Sequence, residues 1–255
     1  TPVPAQMRQG AKWYQGTADA IFQNTYLLQR SDAEYTLILS GDHIYRMDYA
    51  NMLQSHIEMQ ADITVACMKV PLTQAHQFGI DEQHQIQQFE EKPANPQACM
   101  DDPQHALASM GIYIFSTRLL IEELKKNSLD ENSSHDFGKD ILPALIRTHK
   151  VAAHFFGADE GRVSPDKYWR DVGTIDAYYQ ANMDLLETVP PLDLYQNDWP
   201  IRSYQAQTPP ARAVPGDSGN QGVFINSILA GGSIISGSNV SRSVLFQNVF
   251  IGDGS

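Results

Sequence analysis

The stretch that most limits how this chain can fold is Leu37-Ile38-Leu39-Ser40-Gly41-Asp42-His43-Ile44-Tyr45-Arg46-Met47-Asp48-Tyr49. An apolar strand runs into a tight turn at Gly41, a carboxylate follows at the strand's carboxyl end, and a helix comes next. In open α/β sheets ligands bind in the crevice outside the carboxyl ends of strands. A carboxylate there suits a divalent cation bound through one or two carboxylates plus substrate phosphates. Asp42 could equally shape the turn or cap the next helix. The stretch alone leaves these readings level.

The flanking segments supply the fold class. Glu34 to Leu39 reads as a strand. Tyr49, Met52, Leu53, His56 and Ile57 fall at helical spacing, which makes His56 part of a packing stripe. Ile63 to Val70 is a second apolar strand. Strand, helix, strand is a βαβ unit, hence a parallel sheet. Upstream, Thr17 reads as the N-cap of a helix from Ala18 to about Gln29. Gly16 and the free amides there could approach an anion, although an ordinary loop-to-helix junction fits the local sequence better. Residues 78–93 read as two extended segments around a polar turn, with Pro93 holding Lys92 extended. Ala108 to Phe115 is a buried-type strand, and Ser116 caps a helix bearing Leu119, Leu120, Ile121 and Leu124. Lys150 to Phe156 is a short strand. Tyr168-Trp169-Arg170-Asp171-Val172-Gly173-Thr174 again sets an aspartate between an aromatic segment and a helix. Two such turns are what a shared metal site would need.

Bulk properties narrow the functional classes. The chain has 255 residues, 42% hydrophobic and 19% charged, as a globular protein does. A net charge of −12 argues against a general nucleic-acid binder and requires any phosphate site to be locally positive. Cys67 and Cys99 form neither a metal-spacing motif nor a disulfide framework, so a reducing cytoplasm is expected. No apolar run reaches membrane-span length and no signal peptide is visible. The start at Thr1-Pro2-Val3-Pro4 and the close on Gly252-Asp253-Gly254-Ser255, inside a repeating pattern, suggest an internal fragment of a longer protein. After Glu187, prolines 190, 191, 200, 209, 210 and 215 mark a linker. Beyond it Ile228, Ile234, Val240 and Phe246 fall six apart, with Leu245 and Ile251 in a neighbouring six-step. That period is the signature of a parallel β-helix. The expected division is 1–188, 189–222 and 223–255.

Taken together, Trp13-Tyr14-Gln15-Gly16-Thr17-Ala18-Asp19-Ala20, Gly41-Asp42-His43-Ile44-Tyr45, Phe89-Glu90-Glu91-Lys92-Pro93, Ser109-Met110-Gly111-Ile112-Tyr113, Ser134-His135-Asp136-Phe137-Gly138-Lys139-Asp140 and the 168–174 segment resemble the bacterial, glycogen-type glucose-1-phosphate adenylyltransferases. The resemblance implies an α/β fold: a Rossmann-like nucleotidyltransferase, GT-A-like, with a mostly parallel sheet and flanking helices, followed by the start of a left-handed parallel β-helix. It implies the joining of ATP and glucose 1-phosphate into ADP-glucose, with release of pyrophosphate, for glycogen synthesis. It assigns Asp42 and Asp171 to a catalytic Mg2+, and Lys92, with Glu91, to the sugar phosphate and glucose. Tyr14, Gly79 and Ser109 match further glucose-1-phosphate contacts, and Arg30 matches an arginine tied to AMP inhibition in some members. A cytoplasmic, allosterically controlled homotetramer is implied as well.

Two departures stand out. The family's Gly-rich phosphate loop is absent from this sequence, so the 255-residue chain by itself is expected to be inactive. The hairpin after Gly79 is about three residues shorter than the usual pattern. Because a phosphate monoester is largely ionised at neutral pH, with a second pKa of about 6, no general base is required, and His43 and His135 are read as structural. The alternatives are another sugar-1-phosphate nucleotidyltransferase and a non-catalytic regulatory subunit of the same fold. Presence of Asp42, Lys92 and Asp171 weighs against the subunit.

Overall fold

The computed structural model describes residues 2–5, 7, 10, 13–71, 77–80, 85–90, 102, 104–157, 167–204 and 206–255, with 77–80 and 90 described by their backbone. In chain order the elements are α1 (Thr17–Phe22), α2 (Thr25–Ser31), β1 (Tyr35–Ile38), β2 (His43–Tyr45), α3 (Tyr49–Glu58), β3 (Ile63–Pro71), β4 (Gln77–Ile80), β5 (Ile86–Glu90), β6 (His105–Ser116), α4 (Thr117–Ser128), α5 (Leu142–Leu145), β7 (Val151–Phe155), β8 (Trp169–Asp171), α6 (Ile175–Asp184), β9 (Arg212–Val214), β10 (Val223–Ile225), β11 (Ile228–Leu229), β12 (Ile234–Ser236), β13 (Asn239–Ser241), β14 (Val244–Leu245) and β15 (Phe250–Ile251). They fall into two compact units: Thr1–Gly41 with Met47–Val163, and Asp42–Arg46 with Ser164–Ser255.

The first unit is built on a four-stranded sheet in the order β1-β6-β3-β7. The α/β class stands, but the sheet is mixed in its pairings. β3 pairs parallel with β7, while β6 runs antiparallel to both of its neighbours, β1 and β3. β1 and β3 do run the same way, as a βαβ unit requires, yet they are not adjacent: β6 inserts between them. The twelve-residue β6 is almost wholly buried and pairs along most of β3, with a register shift between Val65 and Cys67. β3 itself is buried without alternation from Ile63 to Cys67, the pattern of a strand covered on both faces. Leu120 and Leu124 of α4 and Phe137, Ile141, Leu142 and Leu145 complete this core. Burial of each such side chain stabilises the fold by about 2 kcal/mol. Cys67 is buried within it, its thiol donating to the His154 carbonyl at 3.5 Å. The two extended segments around residue 83 are β4 and β5, which pair antiparallel.

Two local expectations change. The helix predicted over 18–29 is two, α1 and α2, because Asn24 and Thr25 turn their side chains onto the carbonyls of Ala20 and Phe22 and compete with the helical ladder. Thr17 does not cap it. Its hydroxyl donates to Asp136 Oδ2 and accepts from the Phe137 amide, and Gly16 is the capping residue. The amide of Ala18 donates to the His135 carbonyl at 2.8 Å, and Gln15 N–H donates to Asp19, so protein groups already occupy the start of α1. Asp136 in turn accepts from the amides of Gly138 and Lys139 and opens a π-helical turn, Phe137–Ile141. The 134–140 motif therefore fastens α1 to the core.

The second unit carries the two-stranded ribbon β2-β8, α6 and the repeating strands. Each of β10, β11 and β12 pairs parallel with the strand sixteen residues on: Val223 with Asn239, Ile228 with Val244, Ile234 with Phe250. This is one coil stacked on the next. The strict six-step row is not the inward one. Ile235 and Val240 are buried, and Leu229, Leu245 and Ile251 are half-buried, whereas Phe246 is exposed. The inward row advances by six, five and five residues per coil, because the coil length of sixteen is not a multiple of six. Among the described residues no helix is long and apolar enough to cross a membrane.

Candidate active site

Asp42, His43 and Asp171 meet in the second unit. The ribbon explains how: β2 and β8 are antiparallel, with His43 opposite Asp171, Ile44 opposite Arg170 and Tyr45 opposite Trp169. Alternation along a strand puts Trp169 and Asp171 on one face of β8, together with His43 from β2. One ligand atom from each of Asp42, His43 and Asp171 lies within 4.8 Å of the others. Both aspartates are exposed and His43 is mostly covered.

The Asp171 carboxylate is held from one side, and Asp42 is tied through its backbone. Asp171 Oδ1 accepts from the Gly173 amide at 2.8 Å, and the Val172 amide donates to the Asp42 carbonyl at 2.9 Å, which ties the two turns together. A Cβ on Gly173 would lie 3.0 Å from Asp171 Oδ1 and 3.4 Å from Asp42 Oδ2, so glycine leaves the gap between the carboxylates free. Thr174 caps α6 by accepting from the Ala177 amide. Neither aspartate caps a helix: the cap of α3 is Asp48, which accepts from Ala50 and Asn51. His43 packs its ring edge-on against Trp169 at 5.0 Å, with Nε2 3.7 Å from Asp42 Oδ1. Two exposed carboxylates this close, with an imidazole beside them, fit a divalent cation.

Behind the ribbon, Asp184 of α6 anchors β8. It accepts from Tyr168 Oη at 3.0 Å and Gln180 Nε2 at 2.9 Å, and pairs with Arg170 at 2.9 Å. Burial pushes this carboxyl up, but the hydrogen bonds from Gln180, Tyr168 and Arg170 outweigh it and hold the pKa below the usual value. A depressed carboxylate stabilises the fold above its unfolded pKa of about 3.9, and that stability is lost as pH falls through the folded value. With Arg170 half exposed, the network is worth about 1–2 kcal/mol. The parent is thus expected to melt above Asp184→Asn at pH 7, with the gap closing as pH drops below about 4. Melting curves across that range check this; a gap unchanged at low pH would contradict it.

The remaining expected contacts lie in the first unit or outside the described residues. Tyr14 Oη accepts from Asn24 at 2.9 Å, and Ser109 Oγ accepts from the Gly111 amide at 3.1 Å. Gly79 is in β4. Arg30 is exposed at the end of α2, its guanidinium 5.7 Å from the Tyr26 ring centroid. Glu91 and Lys92 lie outside the described residues. Sequence reasoning gave no role to Gly173 and only a structural one to His43. The cue for both was strand alternation, which becomes usable once the partner strand is known. His135 is held by Asn127 through its ring and by Ala18 through its carbonyl, and His56 is buried on Thr64.

A ribbon that joins two distant aspartate turns, in a chain that also carries a mixed α/β sheet, fits a nucleotide-transferring enzyme. Residues 3–188 match the family model described as nucleotidyl transferase, and the chain belongs to that family. Residues 209–255 match the GlmU-like C-terminal hexapeptide model. Over 252 residues the chain is 58% identical to glucose-1-phosphate adenylyltransferase 2 of Vibrio vulnificus strain CMCP6, covering 98% of this chain and 62% of that protein. It is 55% identical to the Vibrio cholerae protein of the same name, over 100% of this chain and 63% of that one. Glucose-1-phosphate adenylyltransferase of Methylobacillus flagellatus is 50% identical, over 97% and 59% respectively. The chain spans less than two thirds of the length of these relatives.

Proposed function

We propose that the protein is a glucose-1-phosphate adenylyltransferase of glycogen synthesis, with residues 1–188 its catalytic domain, 189–222 a linker and 223–255 the opening of a β-helix. The observation that carries this is the meeting of Asp42 and Asp171 from turns far apart in sequence. A phosphate oxygen of glucose 1-phosphate attacks the α-phosphorus of ATP in line. The new O–P bond forms as the bond to the β-phosphate oxygen breaks, and pyrophosphate leaves. Both reactants are anionic, so positioning and charge neutralisation matter more than proton transfer. Asp42 and Asp171 are the residues that would hold Mg2+, which would supply neutralisation of the nucleotide phosphates. Lys92 grips the sugar phosphate as a point charge, with Glu91 on the glucose and Tyr14, Gly79 and Ser109 lining the same substrate. Arg30 serves AMP inhibition, and the full-length protein is a cytoplasmic homotetramer assembled through the β-helix.

The test is turnover of the full-length natural protein with ATP and glucose 1-phosphate, against UTP, GTP and mannose 1-phosphate. ADP-glucose should be the main product; a preference for UTP or for mannose 1-phosphate would assign it to a different member of the family. Lys92→Ala should raise KM for glucose 1-phosphate about 10–100-fold, the worth of one charged hydrogen bond, and leave KM for ATP nearly unchanged. A loss confined to ATP would mean that the lysine serves the nucleotide.

A further inference from the structure

We propose that His43 is a positioning residue for Asp42: its Nε2–H attracts one carboxylate oxygen and so leaves the other to the cation. This rests on the reading that Asp42 and Asp171 hold a divalent ion. Nε2 faces Asp42 Oδ1 at 3.7 Å, just beyond hydrogen-bond reach, while Oδ2 lies on the Gly173 side of the same carboxylate, towards Asp171. The ring cannot swing away easily. Its edge packs on Trp169, and its side chain is 11% exposed. Nδ1 is buried and has no hydrogen-bond partner among the described residues.

That last observation decides between two roles. A histidine that ligates metal through Nε2 carries its proton on Nδ1 and ordinarily donates it to a carboxylate or carbonyl. Here that proton would be buried with no acceptor among the described residues, a cost of about 1–3 kcal/mol. With the proton on Nε2, the ring nitrogen that carries it is the one facing Asp42 Oδ1, 3.7 Å away, close enough for electrostatic attraction to the carboxylate. The geometry therefore makes His43 a donor to the carboxylate rather than a third ligand. The two-stranded ribbon makes this possible: the strand pairing puts His43 opposite Asp171, while the peptide link makes it the neighbour of Asp42.

The experiment compares His43→Gln with His43→Asn, since Gln places a donor near the Nε2 position and Asn near Nδ1. The readout is Mn2+ binding to the full-length protein, followed by loss of the free-ion electron paramagnetic resonance signal, with melting curves alongside. Asn should weaken Mn2+ about tenfold, as loss of such a supporting contact does, and Gln should stay within about threefold of the parent. Equal affinities for the two variants, or a weaker Gln, would overturn the proposal. A merely structural role would move melting temperature and leave affinity alone. Asp171→Asn is the control: if it leaves Mn2+ binding untouched, the cation reading itself fails, whatever His43 does.

Discussion

Asp42→Ala should cut turnover of the full-length protein by about 10²–10³-fold, the usual loss when one preorganised charge-stabilising group is removed, without unfolding it. The structure makes this a clean substitution. The Asp42 side chain is 59% exposed, and among the described residues the one basic group facing its carboxylate is His43, at 3.7 Å. The Val172 amide bonds to the Asp42 carbonyl, which alanine keeps. Asp48, not Asp42, caps α3. Removing one of two neighbouring carboxylates also relieves repulsion, so the melting temperature should hold or rise slightly. Asp171→Ala is a poorer test, because it also strips the acceptor from the Gly173 amide. Steady-state rates and melting curves on the same Asp42→Ala sample check both halves. Near-normal turnover would remove Asp42 from the chemistry, and a collapse in stability would make it a turn residue after all.

What could be read in the sequence was local. The turn at Asp42 and the turn at Asp171 each show as strand, aspartate, helix, and their likeness to each other pointed to a common site. Their pairing through β2 and β8 needed the fold, because three-residue strands carry no register of their own. For the same reason Gly173 could not be recognised as the residue that leaves the gap between the carboxylates. β1, α3 and β3 were legible as a βαβ unit, but nothing in them tells that a strand forty residues later inserts between β1 and β3. That choice is made by long-range burial of β6, not by local pattern. The β-helix shows the opposite limit. The six-step period identified it correctly, yet Leu245 and Phe246 both fit a six-step row, and only the coil length of sixteen puts the first inside and the second out.

The second large effect falls on a glycine whose role is space, not conformation. Gly16 has an extended backbone, φ −172°, that any residue can adopt. A Cβ there would lie 2.3 Å from the His135 carbonyl oxygen and 2.6 Å from that of Ser134. Both obstacles are backbone, and they are pinned. The His135 carbonyl accepts from Ala18, its amide donates to Ser133 Oγ, its ring bonds Asn127, and it holds a left-handed φ of 55°. Neighbouring Asp136 is fixed by Thr17, Gly138 and Lys139. Relief must therefore come from α1 moving off, which breaks the Ala18 bond and opens the core beside Ala18. Gly16→Ala should cost about 3 kcal/mol, the upper end for overpacking, or roughly 6–12 °C in melting temperature for a domain of this size. The control is Gly41→Ala, at the other glycine turn: no atom lies within 4 Å of its Cβ position and its φ is not left-handed. It should melt within about 1 °C of the parent. Hydrogen exchange at the Ala18 amide separates the two further, rising sharply in Gly16→Ala and unchanged in Gly41→Ala. Equal melting of the two variants would mean that α1 is not held where the structure puts it.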